Sequence, residues 1–105
     1  MSGSLTELAP FIQPYARELI RRAAPFGAQV TSVWRSAEEQ RELYEVYRHG
    51  GSQYPAAPPG HSMHERRRAF DVVAPPWLLA EMGGLWEWWG GRWGGRGGDP
   101  IHFEA

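Results

Sequence analysis

The chain has no cysteine. That excludes disulfides, thiolate nucleophiles and cysteine metal sites, so any metal must be held by His, Asp or Glu. Lysine is also missing, and all eleven basic residues are arginine. A lysine Schiff base or lysine general base is therefore excluded. Asparagine is absent too, and the two biases together read as a preference for GC-rich codons. Acidic and basic residues nearly balance, with a formal net charge of −1, so the whole-chain charge gives no support to nucleic-acid binding. No stretch approaches the roughly 18 apolar residues of a membrane helix. Met1 to Pro10 lacks a basic region followed by an apolar run, so no secretory signal is expected. These features predict a protein that starts in the cytoplasm, does not insert into a membrane, and is a monomer. Aspartate is scarce as well: only Asp71 and Asp99 are present.

What is abundant is aromatic. Six Trp, four Tyr and four Phe in 105 residues supply large apolar surfaces for one core. A domain of this length buries roughly 65% of the surface of its unfolded chain, so one domain over 1–105 is feasible without staples. Residues 1–10 read as a loose lead-in. From Pro14, the residues Tyr15, Leu19, Ile20 and Ala23 recur at helical spacing, and Pro25 with Gly27 ends the helix. Ala28 to Trp34 alternates and is β-branched, which predicts a strand. Ser36-Ala37-Glu38-Glu39 is a capping box opening a second helix over about 37–47, with Leu43, Tyr44 and Tyr47 inward. The proline- and glycine-rich stretch 50–60 reads as a long loop. Arg68 to Ala74 predicts a second strand, with Phe70 and Val72 on one face and Asp71 on the other. Pro75-Pro76 opens a third helix through about Trp89, interrupted at Gly83-Gly84. A glycine-rich stretch follows, and Ile101 to Glu104 predicts a terminal strand. Strands and helices intermix without regular alternation, so the expected class is α+β.

Three side chains carry the chemistry. His64, Asp71 and His102 form a normal protein ligand set for catalytic zinc, which leaves a fourth position for water. Asp71 sits mid-strand among apolar residues, where an unpaired carboxylate would be costly. On spacing alone a second reading stands equally: a satisfied core histidine beside an exposed aspartate. Asp99 precedes His102 by three residues and could serve as a general base beside the site. Gly98 and Pro100 on either side favour, on spacing alone, a simple Asp-Pro turn.

Longer blocks surround these residues. Ser62-Met63-His64-Glu65-Arg66-Arg67-Arg68-Ala69-Phe70-Asp71 resembles the Ser-x-His-x-x-Gly-x-Ala-x-Asp motif of the D-Ala-D-Ala carboxypeptidase and L-alanyl-D-glutamate endopeptidase family of zinc metallopeptidases. Pro58-Pro59-Gly60-His61-Ser62 is similar to that motif's lead-in. Thr31-Ser32-Val33-Trp34-Arg35-Ser36, followed by Glu39-Gln40 and Leu43-Tyr44, resembles the family's Thr-Ser-Gly-Tyr-Arg-Ser…Gln…Leu-Tyr block. Trp89-Gly90-Gly91-Arg92-Trp93 and then Asp99-Pro100-Ile101-His102-Phe103-Glu104 is similar to the phage-endolysin version of its ending. The four blocks stand in the right order over about Thr31 to Glu104.

The resemblance implies a small α+β domain of the Hedgehog/D-Ala-D-Ala peptidase-like kind, with a short antiparallel sheet and two to three flanking helices. It implies Zn2+ on His64, Asp71 and His102, with Asp99 as general base. Arg35 would contact the substrate and stabilise the oxyanion, and Ser62 would support substrate binding or simply shape its turn. The implied substrate is a peptidoglycan stem peptide, cut between L-Ala and D-Glu as by an endolysin. D-Ala-D-Ala carboxypeptidase or dipeptidase activity is the alternative within the family. A non-catalytic cell-wall-binding or virion structural module with the same fold is the alternative of another class. Without a signal segment, a phage lysin released to the wall by a partner, or a virion-associated protein, is the natural setting.

There are departures from the pattern. Arg67 replaces the family glycine and would be strained if that position needs positive φ. Arg66 to Arg68 could form a basic rim toward an anionic wall polymer, although a solvated charge run explains them as well. The glycine-rich 94–98 stretch suggests a mobile lip. Trp86, Trp88, Trp89 and Trp93 suggest either core or a sugar-stacking groove. His61 reads as a loop residue and His49 as a helix-end residue.

Overall fold

A computed structural model of the protein describes residues 3–105; Met1 and Ser2, the start of the expected lead-in, lie outside the described residues. Three helices and four strands alternate irregularly: α1 (Gln13–Ala23), β1 (Gln29–Ser32), α2 (Ala37–Arg48), β2 (Ala69–Val73), α3 (Pro76–Trp88), β3 (Arg92–Trp93) and β4 (His102–Glu104). The strands form one antiparallel sheet in the order β1-β2-β4-β3. The molecule is thus the small α+β domain that the sequence predicts.

Strand periodicity divides this sheet into two faces. Phe70 and Val72 of β2 and Phe103 of β4 are wholly buried on one face. There Phe70 stacks on Phe103, and the Trp86 ring of α3 meets both edge-on. α1 and α3 supply the rest of this core through Ala16, Leu19, Ala23, Leu78, Leu79 and Met82. The other face carries Asp71 and His102, which are direct register partners. Partners across an antiparallel pair project to the same side, so the pairing alone brings these two side chains together.

The elements follow from local chemistry. Ser36 and Glu39 cap α2 reciprocally, with each side chain accepting the other's backbone N–H at 3.2 Å. Pro14 sits in the first turn of α1, where an N–H would have no partner. The inward stripe of α1 differs from the expected one. Ile12, Ala16, Leu19 and Ala23 face the core, while Tyr15 is 52% exposed. The register is turned because small Ala16 permits close packing where a tyrosine would not. α2 differs more: its buried residue is the polar Gln40, and Tyr47 is exposed. This helix lines the cleft through Gln40, Leu43 and Val46 and gives no residue to the apolar core.

α3 runs unbroken through Gly83-Gly84. Gly83 is required there, because a Cβ would fall within the Trp93 ring. Nor is 3–10 a loose lead-in. Leu5–Glu7 form a 3-10 turn capped by Ser4, and Leu8 is buried in the core. The 94–98 stretch is likewise folded: Gly94–Gly97 make a 3-10 turn, and a Cβ on Gly94 would strike the Asp99 carbonyl. Gly94 and Gly95 serve close packing, Gly98 supplies a left-handed φ of +87°, and Gly97 faces open space. Among the described residues no helix is long and apolar enough to cross a membrane.

Candidate metal centre

A β-bulge between Val30 and Ser32 places Ser32 beside Asp71, at the head of the chain's turn into α2. That turn carries Arg35. A second turn, Ser62 to Arg68, delivers His64 to the same point. Its shape comes from the Ser62 hydroxyl accepting the His64 backbone N–H at 3.2 Å and the Met63 carbonyl accepting those of Arg66 and Arg68. Within it Arg67 does adopt φ +60°, the left-handed conformation that glycine takes most easily. Its guanidinium is held by the Glu7 carboxylate at 2.8 Å and lies 4.8 Å above the Trp34 ring. These contacts offset the strain, so Arg67 belongs to an ordered turn and not to a free basic rim.

His64 and Asp71 are both buried, and His102 is nearly so. One ligating atom of each lies within 4.8 Å of the other two. Asp71 Oδ1 is 3.1 Å from His64 Nε2 and 3.3 Å from His102 Nδ1. Ligands about 2.0 Å from a tetrahedral ion stand roughly 3.3 Å apart, so these spacings match such a site.

The outward ring nitrogens decide what the inward ones can do. His64 Nδ1 is 2.6 Å from the Val33 carbonyl oxygen, and His102 Nε2 is 2.8 Å from Glu104 Oε1. Both partners are acceptors, so both outward nitrogens carry the ring hydrogen. A neutral imidazole has only one. His64 Nε2 and His102 Nδ1 therefore turn lone pairs toward an anionic oxygen of Asp71. Three acceptors facing one another repel unless a cation lies among them or the rings take up additional protons. The donor set thus fits a divalent metal ion.

The second Asp71 oxygen is engaged by Arg35 Nη2 at 2.5 Å. Arg35 also donates to Ser32 Oγ at 3.2 Å and to Gln40 Oε1 at 3.3 Å. Three of its five N–H groups are used, and the side chain borders the cleft. Burial alone would raise the Asp71 pKa. The His102 and His64 rings, which donate to Asp71 when they take up the added proton, and the charge of Arg35 outweigh it and hold the carboxyl well below the usual range. His102 is likewise penalised by burial, yet the Asp71 and Glu104 carboxylates raise its pKa above the ordinary imidazole value.

The three residues open onto a cleft of about 350 Å³. Asp99, His61 and Ser62 line it, and Leu43, Val46, Tyr54 and Pro55 form an apolar wall. Asp99 does sit in a turn, since its N–H reaches the Gly94 carbonyl and its own carbonyl accepts the His102 N–H. Yet its side chain points to the site. Oδ1 is buried with no hydrogen-bond partner among the described residues. Burial raises its pKa, opposed by His102 and reinforced by Asp71.

Two site residues have no role in the sequence reading. Glu104 stands two places after His102 on a strand, and that same-face spacing was the available signal. Gln40 lies inside a quoted motif; its amide joins Arg35 to the cleft loop by donating to the Ala57 carbonyl at 2.8 Å. None of the tryptophans lines this cleft: Trp86 is core, Trp89 and Trp93 pack against it, and Trp88 is 85% exposed, while Trp86 and Trp89 border a separate cavity of about 180 Å³ with Phe11 and Tyr15. His49 caps the end of α2, exposed and 3.3 Å from Glu45.

No family model matches the chain, and no curated protein does. Solved structures do. The chain is similar in fold to the vancomycin-resistance D,D-dipeptidase VanXYg, solved with a D-Ala-D-Ala phosphinate analog, at 18% identity and a TM-score of 0.71. It is similar to the D,D-pentapeptidase VanY from a VanB-type resistance cassette, solved with Zn(II), at 20% identity and a TM-score of 0.72. DacB from Streptococcus pneumoniae D39 follows at 21% identity and a TM-score of 0.66. Each match covers 92% of this chain, but only 49%, 71% and 65% of the respective structures.

Proposed function

We propose that the chain is a zinc-dependent peptidase acting on the stem peptides of peptidoglycan. One observation carries this reading: a ring nitrogen of His64, a ring nitrogen of His102 and a carboxylate oxygen of Asp71 converge at the edge of a cleft, with both outward ring nitrogens already committed to acceptors. The fold shared with D,D-peptidases, one of them solved with Zn(II), supports it. His64 Nε2, Asp71 Oδ1 and His102 Nδ1 would hold the ion. When bound, it would polarise the scissile carbonyl and acidify a water.

The chain's own residues do the rest. Asp99, with an unpaired buried oxygen and a raised pKa, accepts the proton of the attacking water. As the new C–O bond forms and the C–N bond breaks, it returns that proton to the leaving amine. Arg35 fixes Asp71, and its remaining N–H groups border the cleft where negative charge develops on the carbonyl oxygen. Ser62 contributes by shaping the turn that delivers His64. The apolar wall of Leu43, Val46 and Tyr54 suits small side chains such as alanine.

The preferred bond is L-Ala-D-Glu, because the Trp89–Trp93 block with Asp99 resembles the endolysin branch. The second reading is a D-Ala-D-Ala carboxypeptidase, favoured by the D,D-peptidases of similar fold. The test is mass spectrometry of fragments released from purified peptidoglycan, with and without a chelator. Chelator-sensitive release between L-Ala and D-Glu is the expected result. Loss of a terminal D-Ala would move the protein to the carboxypeptidase reading. No release from several wall types with zinc supplied would overturn the peptidase and leave a wall-binding module.

A further inference from the structure

Glu104 has no part in the reaction as described, yet it touches a proposed ligand directly. We infer that Glu104 is a positioning residue, which holds the His102 ring in the tautomer and orientation that aim Nδ1 at the metal position. The inference rests on reading His64, Asp71 and His102 as the metal ligands.

The geometry builds from the backbone. Glu104 pairs with Ala69 on one side and with Arg92 on the other, so its Cα is fixed in the middle of the sheet. Its carbonyl is further pinned by the Trp86 indole N–H at 2.9 Å. Two places from His102 on the same strand, its side chain leaves on the same face. Oε1 then meets His102 Nε2 at 2.8 Å, with the carboxylate only 21% exposed. Water therefore competes weakly for that hydrogen bond. The contact is to the nitrogen remote from Asp71, so Glu104 stands behind the ring and is not itself a ligand.

The arrangement has a counterpart across the site. The Val33 carbonyl clamps His64 from behind in the same sense. The difference is charge: a neutral carbonyl backs one ring and a carboxylate backs the other. A carboxylate behind an imidazole fixes the tautomer and makes the opposite nitrogen a stronger donor. Without it, the His102 ring could place its hydrogen on Nδ1 and present no lone pair to the ion.

The test uses the full chain, zinc alone as probe, and competition with a chromophoric chelator at neutral pH. Glu104→Ala is expected to weaken zinc binding by about 10- to 100-fold. Glu104→Gln should lose only a few-fold, because its amide oxygen still accepts the Nε2 hydrogen. Long-range 1H–15N spectra of zinc-loaded protein should show His102 protonated at Nε2 in the wild type and in Glu104→Gln. If Glu104→Ala does not fold, Glu104→Asp replaces it: its carboxylate is withdrawn by one methylene and should bind zinc more weakly than Glu104→Gln. Zinc affinity within twofold of wild type for Ala, or for Asp where it stands in, would overturn the inference. A wild type that takes up no zinc would overturn it together with the metal reading. Zinc binding that depends on Glu104, in a protein that cuts no wall, would support it while sinking the peptidase.

Discussion

Removing the charge of Asp71 should cost the metal-free fold more than any other single change at the site. Its carboxylate is 10% exposed and pairs with an Arg35 side chain that is 12% exposed. Both charges have left water, and each depends on the other. Breaking such a buried pair from one side costs about 3–5 kcal/mol, because the surviving charge stays buried without compensation. Asp71→Asn keeps the shape and one acceptor oxygen, so a loss near the lower end, about 3 kcal/mol, is expected. Against the roughly 5–15 kcal/mol of a typical domain, that is a large fraction. The assay is urea denaturation in chelator at neutral pH, followed by tryptophan fluorescence. Adding Arg35→Met to Asp71→Asn should restore part of the loss, since the uncompensated charge is then gone. The pH dependence follows in sign. The Asp71 pKa is depressed in the folded state, so its contribution is complete above the unfolded value of about 3.9 and fades as pH falls toward the lower folded value. A loss below about 1 kcal/mol for Asp71→Asn, or no recovery in the double variant, would refute the argument that this pair holds the site face together.

Asp99→Asn should reduce turnover by about 10²- to 10⁴-fold while leaving stoichiometric zinc, measured by wall hydrolysis and metal analysis; unchanged turnover would remove Asp99 from the mechanism. Arg67→Ala keeps the φ of +60° but loses Glu7 and Trp34, so it should destabilise by about 1–2 kcal/mol. Arg67→Gly sheds the strain along with the contacts and should come out near neutral in the same denaturation assay. Adjacent glycines of α3 should behave oppositely in melting experiments: Gly83→Ala drives a methyl into Trp93 and costs about 1–3 kcal/mol, while Gly84→Ala meets open space and gains up to about 1 kcal/mol. Zinc titrations over a pH series should show affinity falling as pH drops through the raised pKa of His102, because a proton then occupies the ligand. In the metal-free protein the stability linked to that proton is complete below the unfolded imidazole value of about 6.5 and is lost as pH rises through the higher folded value. A pH-independent zinc affinity would contradict this.

The strands were legible because each rests on a local rule, whereas the grouping of His64, Asp71 and His102 was suggested by the family resemblance and left open by spacing alone. Alternation over Arg68 to Ala74 separates Phe70 and Val72 from Asp71, and the sheet buries them on opposite faces. The Ser36–Glu39 box announces where α2 begins, and the helix starts there. What was not legible depends on packing across the chain. Nothing near Tyr15 says that Ala16 faces the core, because that choice is made by α3. Nothing near Gln40 marks it as the buried residue of α2, because its partners, Arg35 and the Ala57 carbonyl, come from two different loops. The 94–98 glycines read as mobility in sequence, yet Gly94 allows backbone to approach backbone where a side chain could not fit. Arg67 was visible as an oddity, and its remedy was not, because Glu7 lies 60 residues away in a segment expected to be loose.

On the proposed metal reading, the trio's surroundings would serve it both without an ion and with one. Metal-free, the site holds one carboxylate between two imidazoles that have already committed a hydrogen outward. Arg35 neutralises half of the problem by taking the far oxygen of Asp71. A proton on His102 would meet the other half: burial opposes it, and the flanking carboxylates of Asp71 and Glu104 favour it. A divalent ion would replace that proton and satisfy all three donors at once, with no rearrangement of the sheet. On that reading the same electrostatic demand would have two solutions, one by proton and one by metal, with pH selecting between them. Release of protons on zinc uptake, measured in weakly buffered solution about one pH unit below the pKa of about 7 of a metal-bound water, distinguishes this from a preformed neutral site: the exchange predicts a proton appearing with each ion bound, and a preformed site predicts almost none.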